Sequence, residues 1–323
     1  MMKQAVLAVA AVLALSDVAA QAVIVTGSQG RNTSAPTGAL LNSGWQLQGS
    51  FSAYGAGNIN GEFLGTPVSS RYFLTAAHFE GGGNNTTITT PDGVVHNLTG
   101  NSTQIAGTDF VLREVTAATP FTSVATLFNP AVDAPLTASD TLVTYGRGNA
   151  RGAAVTGKGW EWATRDGVKS WGTNTFDGLS TVTASDVANG SPFAVGTQFL
   201  RADFDLNSDG NEGTLTDGDS GGGVFVQRGG VWKLVGINYG VNLFRASPSA
   251  SAAAVAAYEA NGLYEQLTVN PATFSLVAGS RTQTWDASYV GGSFAAITAA
   301  TPEPSLLGLA AVGAVGLLRR TRR

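Results

Sequence analysis

The chain has 323 residues, a formal net charge of −4 and no cysteine. This length suffices for one large or two ordinary domains, each with a core of its own. The weak acidity, without a strongly basic tract before the last five residues, argues against nucleic acid as a partner. Disulfides are excluded because no thiol is available to form them.

The first 22 residues have the pattern of a secretory signal peptide. Lys3 precedes an apolar run over residues 5–15, and small residues then lead to Ala20 and Ala22. Signal peptidase recognises this order of positive start, apolar middle and small-residue end. We therefore predict export, with cleavage after Ala20 or Ala22.

The stretch between the two ends reads as β-rich. Short apolar or alternating runs recur between clusters of Gly, Asn, Asp and Ser, a pattern typical of sandwiches and barrels. Early strands are predicted at residues 44–54 and 62–74. A Pro-Asp-Gly turn at 91–93 predicts a hairpin between residues 86–90 and 94–98. Two prolines within residues 129–135 predict a linker, and a new strand series opens at 141.

The later part of the chain continues in the same manner. Arg-Gly-Gly at 228–230 predicts a hairpin between residues 224–227 and 231–237. Residues 247–261 are rich in alanine and end before Gly262, which predicts a helix with a glycine stop. Residues 263–297 return to a strand-like pattern.

One serine is set among glycines, in the Gly-Asp-Ser-Gly-Gly stretch centred on Ser220. Glycines allow a tight turn that presents the hydroxyl and leaves the amides of Gly218 and Ser220 free to bind an oxyanion. The stretch satisfies the G-x-S-x-G elbow of α/β-hydrolases. It also fits a glycine-rich surface turn, and it resembles the nucleophile motif of trypsin-like serine proteases.

The positions of the histidines relative to Ser220 discriminate between the α/β-hydrolases and the trypsin-like serine proteases. A nucleophilic serine needs a neighbouring base, and the two histidines, His78 and His96, both precede Ser220. An α/β-hydrolase needs its histidine after the serine, so that plan lacks a base here. His78 ends a Leu-Thr-Ala-Ala-His segment that closely resembles the one in trypsin-like proteases, whose order is His, Asp, Ser. His96 lies on a predicted strand and is expected to be structural or solvent-facing.

The resemblance to the trypsin-like (chymotrypsin-fold) superfamily implies an all-β fold. Two packed antiparallel six-stranded β-barrels would place the active site between them. We assign residues 1–22 to the signal peptide, 23–135 to the first barrel, 136–300 to the second barrel and 301–323 to a terminal segment with a short apolar anchor.

The same resemblance implies a catalytic triad of His78, Asp109 and Ser220. Asp109 follows His78 and enters an apolar run, as the family's aspartate does, although a solvated aspartate at the start of a strand would look similar. Gly218 and Ser220 would form the oxyanion hole. Asp219 corresponds to the family residue that pairs with a newly made N-terminal amine, which cleavage after Ala22 would place on Val23.

The substrate pocket is the least distinct part of the resemblance. Thr214 lies six residues before Ser220, where trypsin carries an aspartate, and Asn238, Tyr239 and Gly240 stand where the family has its substrate strand. A neutral threonine supplies no charge for Lys or Arg. We therefore expect an uncharged residue before the scissile bond.

An acidic stretch before the nucleophile invites a calcium interpretation. Asp205, Asn207 and Asp209 match the start of a calcium loop, but the closing glutamate is absent because the twelfth place is Thr216. We therefore expect an acidic turn without bound metal, and we predict no cofactor.

The C-terminus combines Pro302-Glu303-Pro304, an apolar run over residues 305–318 and a final cluster of arginines. The run is shorter than the roughly 20 residues of a full membrane span. These parts, in this order, resemble the PEP-CTERM sorting signal of Gram-negative bacteria. The resemblance implies transient membrane contact, processing by an exosortase-type enzyme, and a final place at the cell surface, in the extracellular matrix or in the medium.

Two functions from different classes follow. The first is an exported serine endopeptidase that acts on a protein or peptide substrate. The second is a catalytically silent surface or matrix protein that keeps the barrels as a binding module. Retention of His78, Asp109, Gly218 and Ser220 together favours the first, since a silent copy has no chemical need for all of them.

We predict that the sorting signal is removed during export, because its apolar run is too short for stable membrane retention. Intact-mass measurement on protein from the native host should show loss of residues 306–323. A mature species that keeps the terminal arginines would contradict this prediction.

Overall fold

The computed structural model describes residues 22–28, 30–54, 60–78, 86–206 and 209–301. Most regular structure in these ranges is β-strand, which confirms the predicted all-β class. The predicted signal peptide up to residue 21, Asn207 and the sorting segment from residue 302 lie outside the described residues.

The N-terminal half contains eight strands and two short 3-10 helices (Gly38–Leu40 and Trp45–Leu47), the second of which replaces the start of the strand predicted at residues 44–54. In chain order the strands are β1 (Ile24–Val25), β2 (Gly49–Tyr54), β3 (Asn60–Pro67), β4 (Tyr72–Ala76), β5 (Thr87–Thr89), β6 (Val95–Gln104), β7 (Phe110–Val115) and β8 (Thr126–Leu127). Six of them close into a barrel in the order β2-β3-β4-β7-β6-β5. The predicted six-stranded first barrel and the hairpin across residues 91–93, which joins β5 to β6, are therefore confirmed.

The C-terminal half contains the remaining strands and two helices. They are β9 (Thr141–Gly146), β10 (Asn149–Val155), β11 (Gly159–Arg165), β12 (Ser170–Thr175), β13 (Gly178–Thr181), α1 (Ala184–Ala188), β14 (Gln198–Phe204), β15 (Gly213–Thr214), β16 (Gly223–Arg228), β17 (Val231–Val241), β18 (Phe244–Arg245), β19 (Ala254–Ala257), β20 (Tyr264–Val269), β21 (Ala272–Leu276), β22 (Gln283–Tyr289) and α2 (Val290–Ala300). No helix in the described ranges is long and apolar enough to cross a membrane.

The C-terminal half forms a second unit, which is built on one curved sheet. Its strands follow the order β12-β9-β16-β17-β22-β14-β13, with β8 added beside β17. The predicted hairpin across residues 228–230 joins β16 to β17. The first and last strands of this sheet do not pair with each other, so the sheet does not close into the six-stranded barrel predicted for the second half. The sheet has eight strands, one of which, β8, comes from the N-terminal half of the chain.

Two excursions from this sheet pair with each other and form a third sheet. Its order is β10-β11-β19-β18-β20-β21, so it unites the chain between β9 and β12 with the chain between β17 and β22. Strand β19 occupies part of the alanine-rich stretch predicted to be a helix. That prediction is wrong because β11 and β18, which flank β19, bury all four of its residues. Tertiary pairing here overrides the helix propensity of alanine.

The chain end differs from its prediction as well. Strands β20, β21 and β22 account for most of the strand-like pattern over residues 263–297, but the chain turns helical after Tyr289. Helix α2 buries Val290 and Ile297. Ile297 belongs to the main hydrophobic core, so packing explains the helix.

The first barrel is filled by aromatic side chains. Phe73 of β4 is fully buried, with its ring centroid 5.3 Å from that of Phe51 and 6.3 Å from that of Phe121. Gly65 on the neighbouring strand allows this packing, because a Cβ there would come within 2.4 Å of the Phe73 ring. The strand that carries Phe73 leads directly to His78.

We predict that Phe73→Ala lowers the free energy of unfolding by about 3–5 kcal/mol, because it removes a buried ring and leaves a cavity. Val269→Ala is the control, since Val269 is 82% exposed, and should change stability by less than about 0.5 kcal/mol. Urea unfolding followed by tryptophan fluorescence measures both. Equal effects would contradict this account of the core.

Candidate active site

Two adjacent strands bring His78 and Asp109 together. Strands β4 and β7 are antiparallel neighbours in which Ala76 faces Phe110. His78 follows the end of β4 and Asp109 precedes the start of β7, so both residues lie at the same edge of the barrel. The amide of Ala77 also donates to the Asp109 carbonyl at 2.7 Å.

A continuous hydrogen-bond chain links Asp109, His78 and Ser220. Asp109 Oδ2 lies 2.8 Å from His78 Nδ1, and Asp109 Oδ1 accepts from the His78 backbone amide at 2.8 Å. His78 Nε2 lies 2.8 Å from Ser220 Oγ. When Asp109 is ionised, its carboxylate only accepts hydrogen bonds, so His78 Nδ1 then donates and Nε2 is left to accept from the serine hydroxyl.

The members of this chain differ in exposure. The Asp109 side chain is 3% exposed, whereas that of His78 is 35% exposed. Ser220 is partly exposed. A buried carboxylate beneath an accessible imidazole is the arrangement that orients a histidine base and stabilises its charged form.

Tyr239 packs against the imidazole of His78. Its ring contacts the His78 ring edge-to-face, with centroids 5.4 Å apart. Phe193 and Phe199 pack against Tyr239 with centroid distances of 5.3 and 4.9 Å. This aromatic support of the histidine has no signal in the sequence, because the two phenylalanines come from a segment distant from both motifs.

His96 does not belong to the site. It is buried within the first barrel, where its Nδ1 lies 2.9 Å from the Thr119 carbonyl and its ring lies 4.4 Å from that of Phe121. These contacts agree with the structural role expected for it.

The turn that carries Ser220 needs its glycines. A Cβ on Gly222 would come within 1.8 Å of the Tyr145 carbonyl oxygen, and Gly218 has a φ of +93°. Gly221, with a φ of +83°, donates its amide to the Asn238 carbonyl. Side chains at these positions would clash or strain the backbone, so the glycine-rich motif is a requirement of the turn.

The peptide between Asp217 and Gly218 has a defined orientation. The amide of Asn149 donates to the Asp217 carbonyl at 3.0 Å. In a trans peptide the next amide points the opposite way, so the Gly218 N–H faces away from Asn149. Within the part of the chain that the structure describes, the amides of Gly218 and Ser220 have no hydrogen-bond acceptor.

Asp219 has partners other than an N-terminal amine. Its buried carboxylate accepts from the amides of Gly148 and Thr216, both at 2.7 Å, and from the Thr216 hydroxyl at 3.0 Å. Burial raises the pKa of Asp219 to about 6, and these donors partly offset that effect. Val23 precedes β1, which pairs with β15, and in this uncleaved chain backbone and threonine donors bind the Asp219 carboxylate.

A cavity of about 560 Å³ lies beside Ser220 and His78. Of the residues expected in the pocket, Tyr239 and Gly240 line it. Its other walls include Trp162, Asp217, Leu243, Arg245 and the small residues at 250–254. Apart from Asp217, these walls belong to the excursions that form the third sheet, and sequence comparison with the trypsin-like motifs misses them.

Thr214 and Asn238 are absent from the lining of this cavity. Thr214 is fully buried, pairs with Ile24 of β1, and donates its hydroxyl to the Gln283 side chain at 3.2 Å. Asn238 is also fully buried, and its amide donates to the carbonyls of Tyr145 at 2.7 Å and Asp219 at 3.1 Å. Neither residue lines the cavity: Asn238 braces the turn that carries Ser220, and Thr214 joins β15 to β1 and β22.

The acidic loop is a hydrogen-bonded turn. Asp209 Oδ1 accepts from the amides of Asn211 at 2.7 Å and Glu212 at 3.3 Å. Among the residues that the structure describes, no three acidic or histidine side chains are grouped to hold a metal ion. Burial raises the pKa of Glu212 to about 8, with further contributions from the negative charges of Asp205, Asp209 and Asp177.

Comparison with known proteins adds three findings. Residues 300–323 match the family described as the PEP-CTERM protein-sorting motif, so the predicted sorting signal is confirmed. No curated protein matches the chain significantly. Among solved structures, the inactive form of Rv3671c from M. tuberculosis H37Rv, with serine replaced by alanine, is 15% identical with a TM-score of 0.46. That match covers 84% of this chain and 99% of the other.

We predict that Glu212 makes the protein less stable as the pH rises. Its pKa in the folded state, about 8, exceeds the ordinary value of 4.5, so its stabilising contribution is complete below pH 4.5 and lost towards pH 8. Glu212→Gln keeps a neutral group at this position at every pH. At pH 8 the free energy of unfolding of this variant should exceed that of the parent by about 1–3 kcal/mol.

Urea unfolding from pH 5 to pH 8 measures this difference, which should grow with pH. Glu161→Gln on β11 is the matched control, because Glu161 is only partly buried. Parallel stability curves for the parent and Glu212→Gln would show that Glu212 does not titrate as described.

Proposed function

We propose that this protein is an exported serine endopeptidase with His78, Asp109 and Ser220 as its catalytic residues. The supporting observation is the hydrogen-bond chain from a buried carboxylate through an imidazole to a serine hydroxyl, with a distance of 2.8 Å at each link. The cavity beside Ser220 offers space for a substrate side chain.

The first half of the reaction forms an acyl-enzyme. Ser220 Oγ attacks the carbonyl carbon of the scissile peptide while His78 Nε2 takes the hydroxyl proton. The carbonyl oxygen becomes an oxyanion, and the amides of Gly218 and Ser220 donate hydrogen bonds to it. The bond from carbon to nitrogen then breaks, and His78 gives its proton to the leaving amine.

The second half releases the acid. A water molecule gives a proton to His78 and attacks the acyl carbon, again producing an oxyanion. The ester bond to Ser220 breaks, and the serine oxygen regains a proton from His78. Asp109 remains ionised throughout and stabilises the imidazolium through its hydrogen bond to Nδ1.

The sorting motif supports a site of action outside the cytoplasm. PEP-CTERM motifs are processed by an exosortase-type enzyme, and the motif here follows directly on helix α2. We propose that the catalytic unit reaches the cell surface or the extracellular matrix with the help of this signal, and that its substrates are proteins or peptides found there.

We predict that a fluorophosphonate probe labels Ser220 in the folded protein. His78→Ala should abolish labelling, because it removes the base that activates the hydroxyl. Asp109→Asn should lower kcat by about 10⁴-fold through the wrong imidazole tautomer. Peptide mapping by mass spectrometry identifies the labelled residue.

Ser102→Ala provides the control for this experiment, since Ser102 is an exposed serine on β6 and labelling should not depend on it. Circular dichroism establishes that each variant is folded. A folded parent protein that takes up no probe would overturn the protease proposal and favour the silent binding module.

A further inference from the structure

A cationic side chain lines the cavity beside the nucleophile. Arg245 on β18 shares this cavity with Ser220 and His78. We propose that Arg245 selects substrates with an acidic residue, Glu or Asp, immediately before the scissile bond. This inference rests on the proposed protease function and names the substrate class of that same site.

The guanidinium of Arg245 is held by neutral acceptors. Its Nε donates to the Gln266 side chain at 3.0 Å, and its Nη1 donates to the Ala252 carbonyl. These contacts fix its position against the small-residue wall without neutralising its charge. Across the described ranges, no carboxylate lies within ion-pair distance of Arg245.

Part of the guanidinium remains available to a ligand. Arg245 Nη2 has no acceptor among the described residues, and it is not among their buried, unpaired atoms. Arg245 itself is partly buried. An arginine that is positioned by two bonds and still has free N–H groups is well suited to bind a carboxylate, since charge-assisted bonds of this kind are the strong ones.

The carboxylate on the strands that pair with β18 is already engaged. Glu265, which faces Phe244 across β18 and β20, accepts from Asn242 at 3.0 Å and forms an ion pair with Arg281 at 2.9 Å. Its charge is therefore balanced by a cation other than Arg245.

Asp217 is the acidic residue that shares the cavity lining. It is exposed and lies next to Gly218 in the nucleophile turn, so water screens its charge. Arg245 instead belongs to the third sheet and is partly buried, where a charge acts through a less polar surrounding. Arg245 is thus the better placed of the two to select the charge of a bound side chain.

The remaining walls fit a side chain that ends in a carboxylate. Ala250, Ala252, Ala253 and Ala254 leave space, and Leu243 provides an apolar surface for methylene groups. A substrate lysine or arginine would bring a second cation to an arginine that lacks a carboxylate partner, at a cost in free energy. Because Arg245 lines the cavity and Thr214 does not, we propose an acidic residue in place of the uncharged residue expected from Thr214.

The test is cleavage of paired peptides that differ only by Glu or Gln before the scissile bond. We expect kcat/KM to favour Glu by roughly 10–100-fold, the range for a hydrogen bond to a charged group. Arg245→Gln should reduce this ratio to about one, and Arg245→Lys should retain part of it. Arg71→Gln is the matched control, because Arg71 is also bound to a carbonyl and a side chain but lies in the first barrel, and it should keep the ratio.

Fluorophosphonate labelling of Ser220 separates the two proposals, since the probe does not require a residue before the scissile bond. A labelled enzyme that favours Gln, Lys or Arg over Glu would overturn the role of Arg245 and leave the protease function standing. An enzyme whose Arg245→Gln variant is still labelled but keeps its preference for Glu would also overturn it. Absence of labelling in the folded parent would overturn both.

Discussion

The hydrophobic core shared by the two β units is the constraint on which the site depends. One continuous cluster joins Phe51 and Phe73 of the first barrel to Phe225, Leu234 and Ile237 of the second unit. This packing brings Ser220 to His78 across 142 residues of sequence. A hydrogen bond with a length of 2.8 Å tolerates little movement, so the core must hold both units in one arrangement.

Buried polar groups add direction to this packing. Gln48 of the first unit accepts from the Gly223 amide at 2.9 Å, and its amide donates to the Thr66 hydroxyl at 3.0 Å. It thereby ties the strand that follows the nucleophile to the first barrel. Asn238 and Asp219 provide the same kind of support on the other side of the turn. Satisfied buried networks of this kind favour one backbone arrangement over its alternatives.

The third sheet supplies most of the cavity wall beside Ser220 and His78. It is assembled from excursions of the second unit, and it supplies Trp162, Leu243, Arg245 and the small residues at 250–254 to the cavity. Thr214, which the trypsin-like resemblance places in the pocket, pairs with β1 and donates its hydroxyl to Gln283. The hydrogen-bonded chain of Asp109, His78 and Ser220 and the wall of the cavity thus come from different parts of the fold.

Local features of the sequence were sufficient to predict the elements that depend on neighbours in the chain. Alternation predicts strands, Pro-Asp-Gly and Arg-Gly-Gly predict hairpins, and the glycines around Ser220 predict a tight turn, because each of these reports on backbone geometry within a few residues. The order of His78, Asp109 and Ser220 selects one enzyme plan over another, and the C-terminal motif is recognised from its own residues.

Tertiary structure alone decided the rest. The alanine-rich stretch became strand β19 because distant strands flank it, and Arg245 reached the cavity because two excursions pair with each other. Such contacts depend on which surfaces meet after folding, and no single segment of the chain carries that information.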